Sequence, residues 1–234
     1  MKAVYHTDKG YRRRENEDSY LVTDTLFAVA DGVGGYRGGK EASSKSLAIL
    51  SNLLTDKIPG KEELLCAIEE INKAIYDAQE DEDGFQGMST TLSLLWTAQD
   101  GMFVGHIGDS RVYLLREGEL IQVTQDHSLV AELEKDGYIT AEEAESYPHK
   151  NIITRAIGMQ RSVFPDVFFI PACPGDKWLV CSDGLHNMVK RDDIHAILVS
   201  LDTVQAAETL LKKALENGGT DNITLVLIDS AEDD

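Results

Sequence analysis

The sequence predicts an α+β protein in which two antiparallel sheets form a sandwich with helices packed outside. Residues 90–124 break into short strand-like runs joined by tight turns, the pattern of an antiparallel meander. Two stretches, around 40–57 and 64–78, place apolar residues at helical spacing, as helices lying on a flat surface do. Four apolar runs each carry an aspartate at one tip, which strands ending at a shared sheet edge would bring together.

Taken in order, Lys2–Thr7 and Ser19–Val22 read as strands leading into the charge-free run Phe27–Ala30, with Arg12-Arg13-Arg14-Glu15-Asn16-Glu17-Asp18 between them. A helix from Lys40 to about Lys57 carries Leu47, Leu50, Leu53 and Leu54 on one stripe. The next helix is better marked, with Leu64, Ile68, Ile71, Ile75 and Ala78 on one face. Glu80–Gly84 closes it as a solvated acidic turn. A calcium loop starting at Asp81 would need Gly at its sixth position and Glu at its twelfth, and Gln86 and Leu92 stand there.

The meander comprises Thr90–Ala98, Met102–Ile107, Arg111–Arg116 and Leu120–Thr124, with turns at Gln99-Asp100-Gly101 and Glu117-Gly118. Residues 125–151 are polar and rich in caps: Ser128 can cap a helix over Leu129–Lys135, and Thr140-x-x-Glu143 has capping-box spacing. This reads as a helical, lid-like excursion over the sheet edge that carries Asp109. Ile152–Gly158, Val167–Ile170 and Trp178–Cys181 resume strands, and Asp192–Val199 is a short helix. Thr203 is expected to cap a last helix with Val204, Ala207, Leu211 and Ala214 inward, before the final strand Ile223–Ile228. No repeat, linker or low-complexity tract divides the chain, so residues 1–234 are expected to form one domain.

A formal charge of -19, from 41 acidic against 22 basic residues, argues against non-specific binding to nucleic acid or an anionic membrane. Cys66, Cys173 and Cys181 show no Cys-x-x-Cys spacing and read as reduced core residues. The N-terminus lacks the apolar core of a signal peptide, and no run approaches the ~18 apolar residues of a membrane span. The expected compartment is the cytoplasm.

The aspartates at the run tips are Asp31, Asp109, Asp183 and Asp221. One Asp-Gly is an ordinary turn. Four carboxylates in one place would repel, by about 4 kcal/mol for a pair 4 Å apart at an effective dielectric near 20, so their convergence calls for a cation. Oxygen donors without a His or Cys cluster suit Mg2+ or Mn2+ rather than zinc or copper. Two such ions, about 3.5–4 Å apart, can acidify one water and neutralise a phosphate under in-line attack. An arginine of the 12–14 triplet would fork onto the phosphate. Together these point to phosphoester hydrolysis without a covalent intermediate. Of the histidines, His106 and His195 read as structural, His127 and His149 lie in the lid-like stretch, and His186 stays a proton-donor candidate for its closeness to Asp183.

The set Arg13-x-x-Asn16-Glu17-Asp18, Val29-Ala-Asp31-Gly32-Val-Gly34-Gly35, Ser89-Thr90-Thr91, Gly105-x-x-Gly108-Asp109-Ser110-Arg111, Thr124-x-Asp126-His127-Ser128, Ile153–Gly158, Ser182-Asp183-Gly184 and Gly219-x-Asp221-Asn222-Ile-Thr224 resembles the metal-dependent type 2C protein phosphatases in their compact bacterial form. The resemblance runs from about residue 6 to 228. It implies an αββα sandwich that hydrolyses phosphoserine and phosphothreonine with two core Mn2+ or Mg2+ ions and room for a third. Asp31 would bridge both core ions, the Gly32 carbonyl would bind the second, and Asp183 and Asp221 would complete the first. Asp109 with Asp183 matches the third position, Arg13 the phosphate-binding place, Glu17 and Asp18 the surroundings of the ions, and 125–151 the flap. The implied partners are phosphorylated proteins, opposite a serine/threonine kinase, met by a monomer.

The sequence departs from the family pattern at Val33, where animal relatives have a histidine and bacterial ones often Met, at Ser89, where Gly is usual, and at His186-Asn187. None of these removes an implied metal ligand. A catalytically silent sensor or scaffold on the same fold is the alternative; loss of Asp31, Asp183 or Asp221 would favour it, and all three are present. Dinucleotide binding through Gly32-x-Gly34 lacks its third glycine, with Arg37 in that place, and Asp31 would repel a pyrophosphate.

Overall fold

The computed structural model describes residues 1–33, 38–81, 87–145, 147–148 and 152–230. Gly34, Gly35 and Arg37, most of the acidic turn through Gly84, and His149 lie outside the described residues. In chain order, β1 (Lys2–Asp8), β2 (Ser19–Val22), β3 (Leu26–Ala30) and the short β4 (Gly32–Val33) precede α1 (Gly38–Leu54) and α2 (Lys61–Asp81). There follow β5 (Ser89–Thr90), β6 (Leu92–Ala98), β7 (Gly101–Ile107), β8 (Arg111–Arg116) and β9 (Glu119–Gln122). The flap-like stretch holds α3 (Leu129–Lys135) and α4 (Ala141–Glu145). The remainder is β10 (Asp166–Pro171), β11 (Lys177–Cys181), α5 (Asp183–His186), α6 (Arg191–Ser200), α7 (Thr203–Glu216) and β12 (Ile223–Asp229).

Two five-stranded antiparallel sheets result, ordered β1-β12-β11-β8-β9 and β10-β7-β6-β3-β2. Strand periodicity explains how they stack. In β3, Phe27 and Val29 enter the core between the sheets, while Leu26, Ala28 and Ala30 face α1 and α2. In β12, Val226 and Ile228 enter the same inter-sheet core, while Ile223, Leu225 and Leu227 meet α6 and α7. Strands buried on both faces are apolar at nearly every position, which is why these segments read as near-continuous hydrophobic runs, broken in β12 by the buried Thr224. Outside, Leu64, Ile68, Ile71 and Ile75 of α2 and Leu47, Leu50 and Leu54 of α1 cover one sheet. Burying each such side chain contributes roughly 1.5–3 kcal/mol. The αββα sandwich expected from the sequence is present.

Several local expectations change. Ile152–Gly158 forms no strand; it makes only isolated bridges, Ser128 to Ile153 and Thr90 to Ile157. The strand expected over Thr90–Ala98 is interrupted at Thr91, whose N–H donates to the Asp31 carbonyl (2.9 Å) and whose hydroxyl accepts from the Asp31 N–H (2.9 Å). Asp202, not Thr203, caps α7, accepting from Val204 N (2.9 Å) and Gln205 N (3.0 Å). The buried face of α7 is accordingly Thr203, Ala206, Ala207, Leu210 and Ala214, with Val204 exposed. Only Cys181 is a core cysteine; Cys173 is half-buried, and Cys66 points outward from α2. The capping signals of the flap are borne out: Ser128 accepts from Ala131 N, and Thr140 and Glu143 exchange bonds.

Candidate active site

All four strand-tip aspartates reach one end of the sandwich. Asp31 ends β3, and Asp109 lies on the loop that carries the chain from β7 in one sheet to β8 in the other. Asp183 opens α5 directly after β11, and Asp221 precedes β12. Their mutual influence shows in their protonation. Burial, then Asp18, Asp183, Asp109 and Asp221, push the Asp31 carboxyl well above the usual range. Burial, then Asp109 and Asp221, raise Asp183 to about 8. Burial raises Asp18 and Asp109 each to about 6, the latter with help from Asp126. Asp31 thus lies within repulsive reach of the other carboxyls, Asp18 and Asp183 foremost.

Buried polar groups normally find partners. Here Asp18 Oδ1, Asp109 Oδ1 and Asp183 Oδ1 are buried without a hydrogen-bond partner, which is the chemistry of a hard-cation donor set. Among the described residues no three His, Cys, Asp or Glu side chains are closed into a finished metal cage. A cation among the carboxylates would relieve their mutual repulsion and take up the orphaned oxygens.

The surrounding structure holds each donor in place. A Cβ at Gly32 would collide with the backbone oxygens of Gly39 and Glu17, so only glycine lets this strand end approach α1. At Gly184 a Cβ would meet the Asn222 carbonyl, which keeps Asp183 against the Asp221 loop. Asn222 ties that loop to the arginine segment: its Oδ1 accepts from Glu17 N (2.8 Å) and its Nδ2 donates to the Lys9 and Glu15 carbonyls (3.0 Å each). Arg13 Nη2 donates to Asp221 Oδ2 at 2.7 Å, and about half its side chain remains exposed at the mouth. Glu17 sits half-buried beside it, its carboxyl raised mainly by burial.

Residues 10–217 match the profile of the protein phosphatase 2C family. The chain belongs to that family. It is 40% identical over 241 residues to the serine/threonine phosphatase stp of Listeria monocytogenes, covering 98% of this chain and 96% of that protein. Its fold is similar to the crystal structure of the Mycobacterium tuberculosis serine/threonine phosphatase PstP/Ppp, with a TM-score of 0.94 at 38% identity over 99% of both chains. It is likewise similar to the catalytic domain of PstP in complex with two manganese ions, with a TM-score of 0.91 at 37% identity over 99% of this chain and 98% of that one.

This family member also holds its aspartates with residues to which sequence reasoning gave no such part. Asn187 Nδ2 donates to Asp183 Oδ2 at 3.1 Å. Ser182 Oγ donates to Asp18 Oδ2 at 2.8 Å. His186, a proton-donor candidate in the sequence, directs its Nε2 at the Asp109 carbonyl, 3.0 Å away. The helical turn of α5 with its two caps, too short to leave a periodic signal, brings these three side chains to the site. Of the other histidines, His106 is structural as expected, held between Ser93 Oγ (2.9 Å) and the Gln125 carbonyl (3.0 Å), and His195 reaches the Gly118 carbonyl (2.7 Å).

Proposed function

We infer that this chain is a metal-dependent protein serine/threonine phosphatase in which Asp31, Asp109, Asp183, Asp221 and the Gly32 carbonyl hold the metal ions. The convergence of these aspartates beside Arg13, with buried unpartnered oxygens on Asp18, Asp109 and Asp183, carries this reading. Manganese or magnesium bound there would supply an acidified water and neutralise phosphate charge. Asp31, central to the cluster, would bridge two core ions, and Asp109 with Asp183 would take a third. Asp18 and Glu17 would orient and charge-balance this set from behind. Arg13, already half-exposed and fixed on one side by Asp221, turns its remaining donors to the substrate phosphate.

We take residues 1–234 as a single catalytic domain, with 125–151 as a flap beside the site. We also take it to act as a cytoplasmic monomer on proteins phosphorylated by a serine/threonine kinase. The unpaired cysteines fit a reducing compartment, and among the described residues no helix is long and apolar enough to cross a membrane. A silent scaffold on this fold has no observation in its favour. The deciding test is phosphate release from a phosphothreonine peptide in millimolar Mn2+. Turnover that is stopped by chelation is expected, and no release at any metal concentration would overturn the reading.

A further inference from the structure

We propose that His186 is a positioning residue that sets the distance between Asp109 and Asp183 by donating its Nε2–H to the Asp109 carbonyl. The proposal rests on Asp109 and Asp183 sharing a metal ion. His186 lies three residues after Asp183 on α5, so the two side chains leave the same side of that helical turn. The ring then spans to the β7–β8 loop, where its Nε2 meets the Asp109 oxygen at 3.0 Å. A carbonyl oxygen only accepts, so Nε2 is the donor in this contact.

The other anchors of this loop, among the described residues, hold Gly108 and Ser110, the neighbours of Asp109. Gly108 N donates to His127 Nδ1 (3.2 Å), and His127 N donates to the Gly108 carbonyl (2.7 Å). Ser110 is held by Thr91 Oγ1 (2.7 Å) and by Ser93 Oγ on its carbonyl (2.9 Å). Both sets of bonds point back to the flap base or to the β6 side. The His186 contact instead crosses to α5, the element that carries the second carboxylate. At the C-cap of that element Asn187 takes up Asp183 Oδ2 (3.1 Å), leaving Asp183 Oδ1 and Asp109 Oδ1 buried without a hydrogen-bond partner. His186 and Asp109 also line one open groove of about 690 Å³, whose other wall is formed by Ser128, Val130, Ala131 and Glu134 of the flap. A half-buried ring at the groove wall can be changed without opening the core.

The experiment is calorimetric Mn2+ titration of the full chain, comparing wild type with His186→Phe, His186→Gln and Asp109→Asn. Asp109→Asn identifies the binding component that depends on Asp109. His186→Phe keeps the ring and removes the donor, and it should weaken that component about tenfold, the scale for residues that orient a ligand without touching the metal. His186→Gln returns an N–H at nearly the same reach and should bind close to wild type. Should Phe not fold, as judged by circular dichroism, His186→Leu takes its place. If Asp109→Asn leaves Mn2+ binding unchanged, the metal reading of Asp109 fails and takes the proposal with it. If Asp109→Asn weakens binding and the donor-less variants do not, the metal reading stands and the proposal for His186 falls. Equal weakening by Phe and Gln would assign the effect to packing and overturn it as well.

Discussion

Ser182 Oγ donates to Asp18 Oδ2 at 2.8 Å, a bond between two buried residues 164 positions apart. The same hydroxyl oxygen accepts from Thr224 N at 3.0 Å, so one serine joins the β11 end, the β12 strand and the arginine segment. It also stabilises the ionised form of a carboxyl that burial raises to about 6. Ser182→Ala should therefore lower stability by about 1–3 kcal/mol, the cost of leaving buried groups unsatisfied. Mn2+ affinity should drop too, because protons compete better for Asp18. Urea denaturation and metal titration test this, and an unchanged midpoint would remove Ser182 from the account.

Asp183 offers a prediction with two opposite signs. With metal present, Asp183→Asn should abolish phosphate release while circular dichroism stays native. Without metal at pH 9, wild type carries Asp183 ionised above its folded pKa of about 8, against burial and its neighbours Asp109 and Asp221. Asp183→Asn removes that repulsion and should melt at the same temperature or higher. Wild type should gain stability on adding Mn2+, about 2.7 kcal/mol at a hundredfold excess over Kd, and the variant should gain much less. A variant that still turns over, or one that responds to Mn2+ like wild type, would contradict the metal assignment.

The architecture was legible wherever both faces of an element, or one stripe of it, are buried. The α2 stripe of Leu64, Ile68, Ile71 and Ile75 could only be a helix on a surface, and β3, with most of β12, had to be apolar because sheet and helix enclose them. The aspartates were legible because each sits where such a run stops. What was not legible depends on contacts across the chain. Ile152–Gly158 has strand-like residues, but Thr90 and Ser128 each offer it a single bridge rather than an edge. The split at Thr91 follows from its exchange with the Asp31 backbone, 60 residues away, which no local pattern records. His186 stood out only for its closeness to Asp183, and the parts of Ser182, His186 and Asn187 became visible only once α5 and its two caps turned them toward the aspartates.

Arg13 is bound to Asp221 by one nitrogen and faces the opening with the rest of its fork. Arg13→Ala should lower kcat/KM for a phosphopeptide about 10- to 100-fold, with the larger part in KM if the guanidinium binds ground state and transition state alike. Arg13→Lys keeps a positive charge but loses the planar fork, so it should recover little of the loss. Steady-state kinetics at saturating Mn2+ decide this. Full rescue by lysine would show that charge alone, not bidentate geometry, serves the phosphate.

Acid should destabilise the fold through His106. This ring is fully buried between Ser93, Gln125 and His127, and burial, then the neighbouring His127, push its pKa down to about 3. His127 is lowered in the same direction, by burial and then Arg155. The unfolded chain takes up a proton near the ordinary histidine value of about 6.5 that folded His106 refuses, so the unfolded state binds more protons as pH falls below that point. Stability is thus complete above about pH 6.5 and declines between there and pH 3, by up to about 1.4 kcal/mol per pH unit for this one group. The raised carboxyls Asp18, Asp109 and Asp183 act with the opposite sign in the metal-free protein, which gains from their protonation as pH falls. Comparing wild type with His106→Gln cancels that common background. Gln can still donate to the Gln125 carbonyl but does not titrate, so between pH 6.5 and 4 the slope of its unfolding free energy against pH should be more negative, or less positive, than that of wild type by up to one proton. Parallel curves would show that His106 is already protonated within the fold, with Ser93 passing its own proton to the Ser110 carbonyl (2.9 Å).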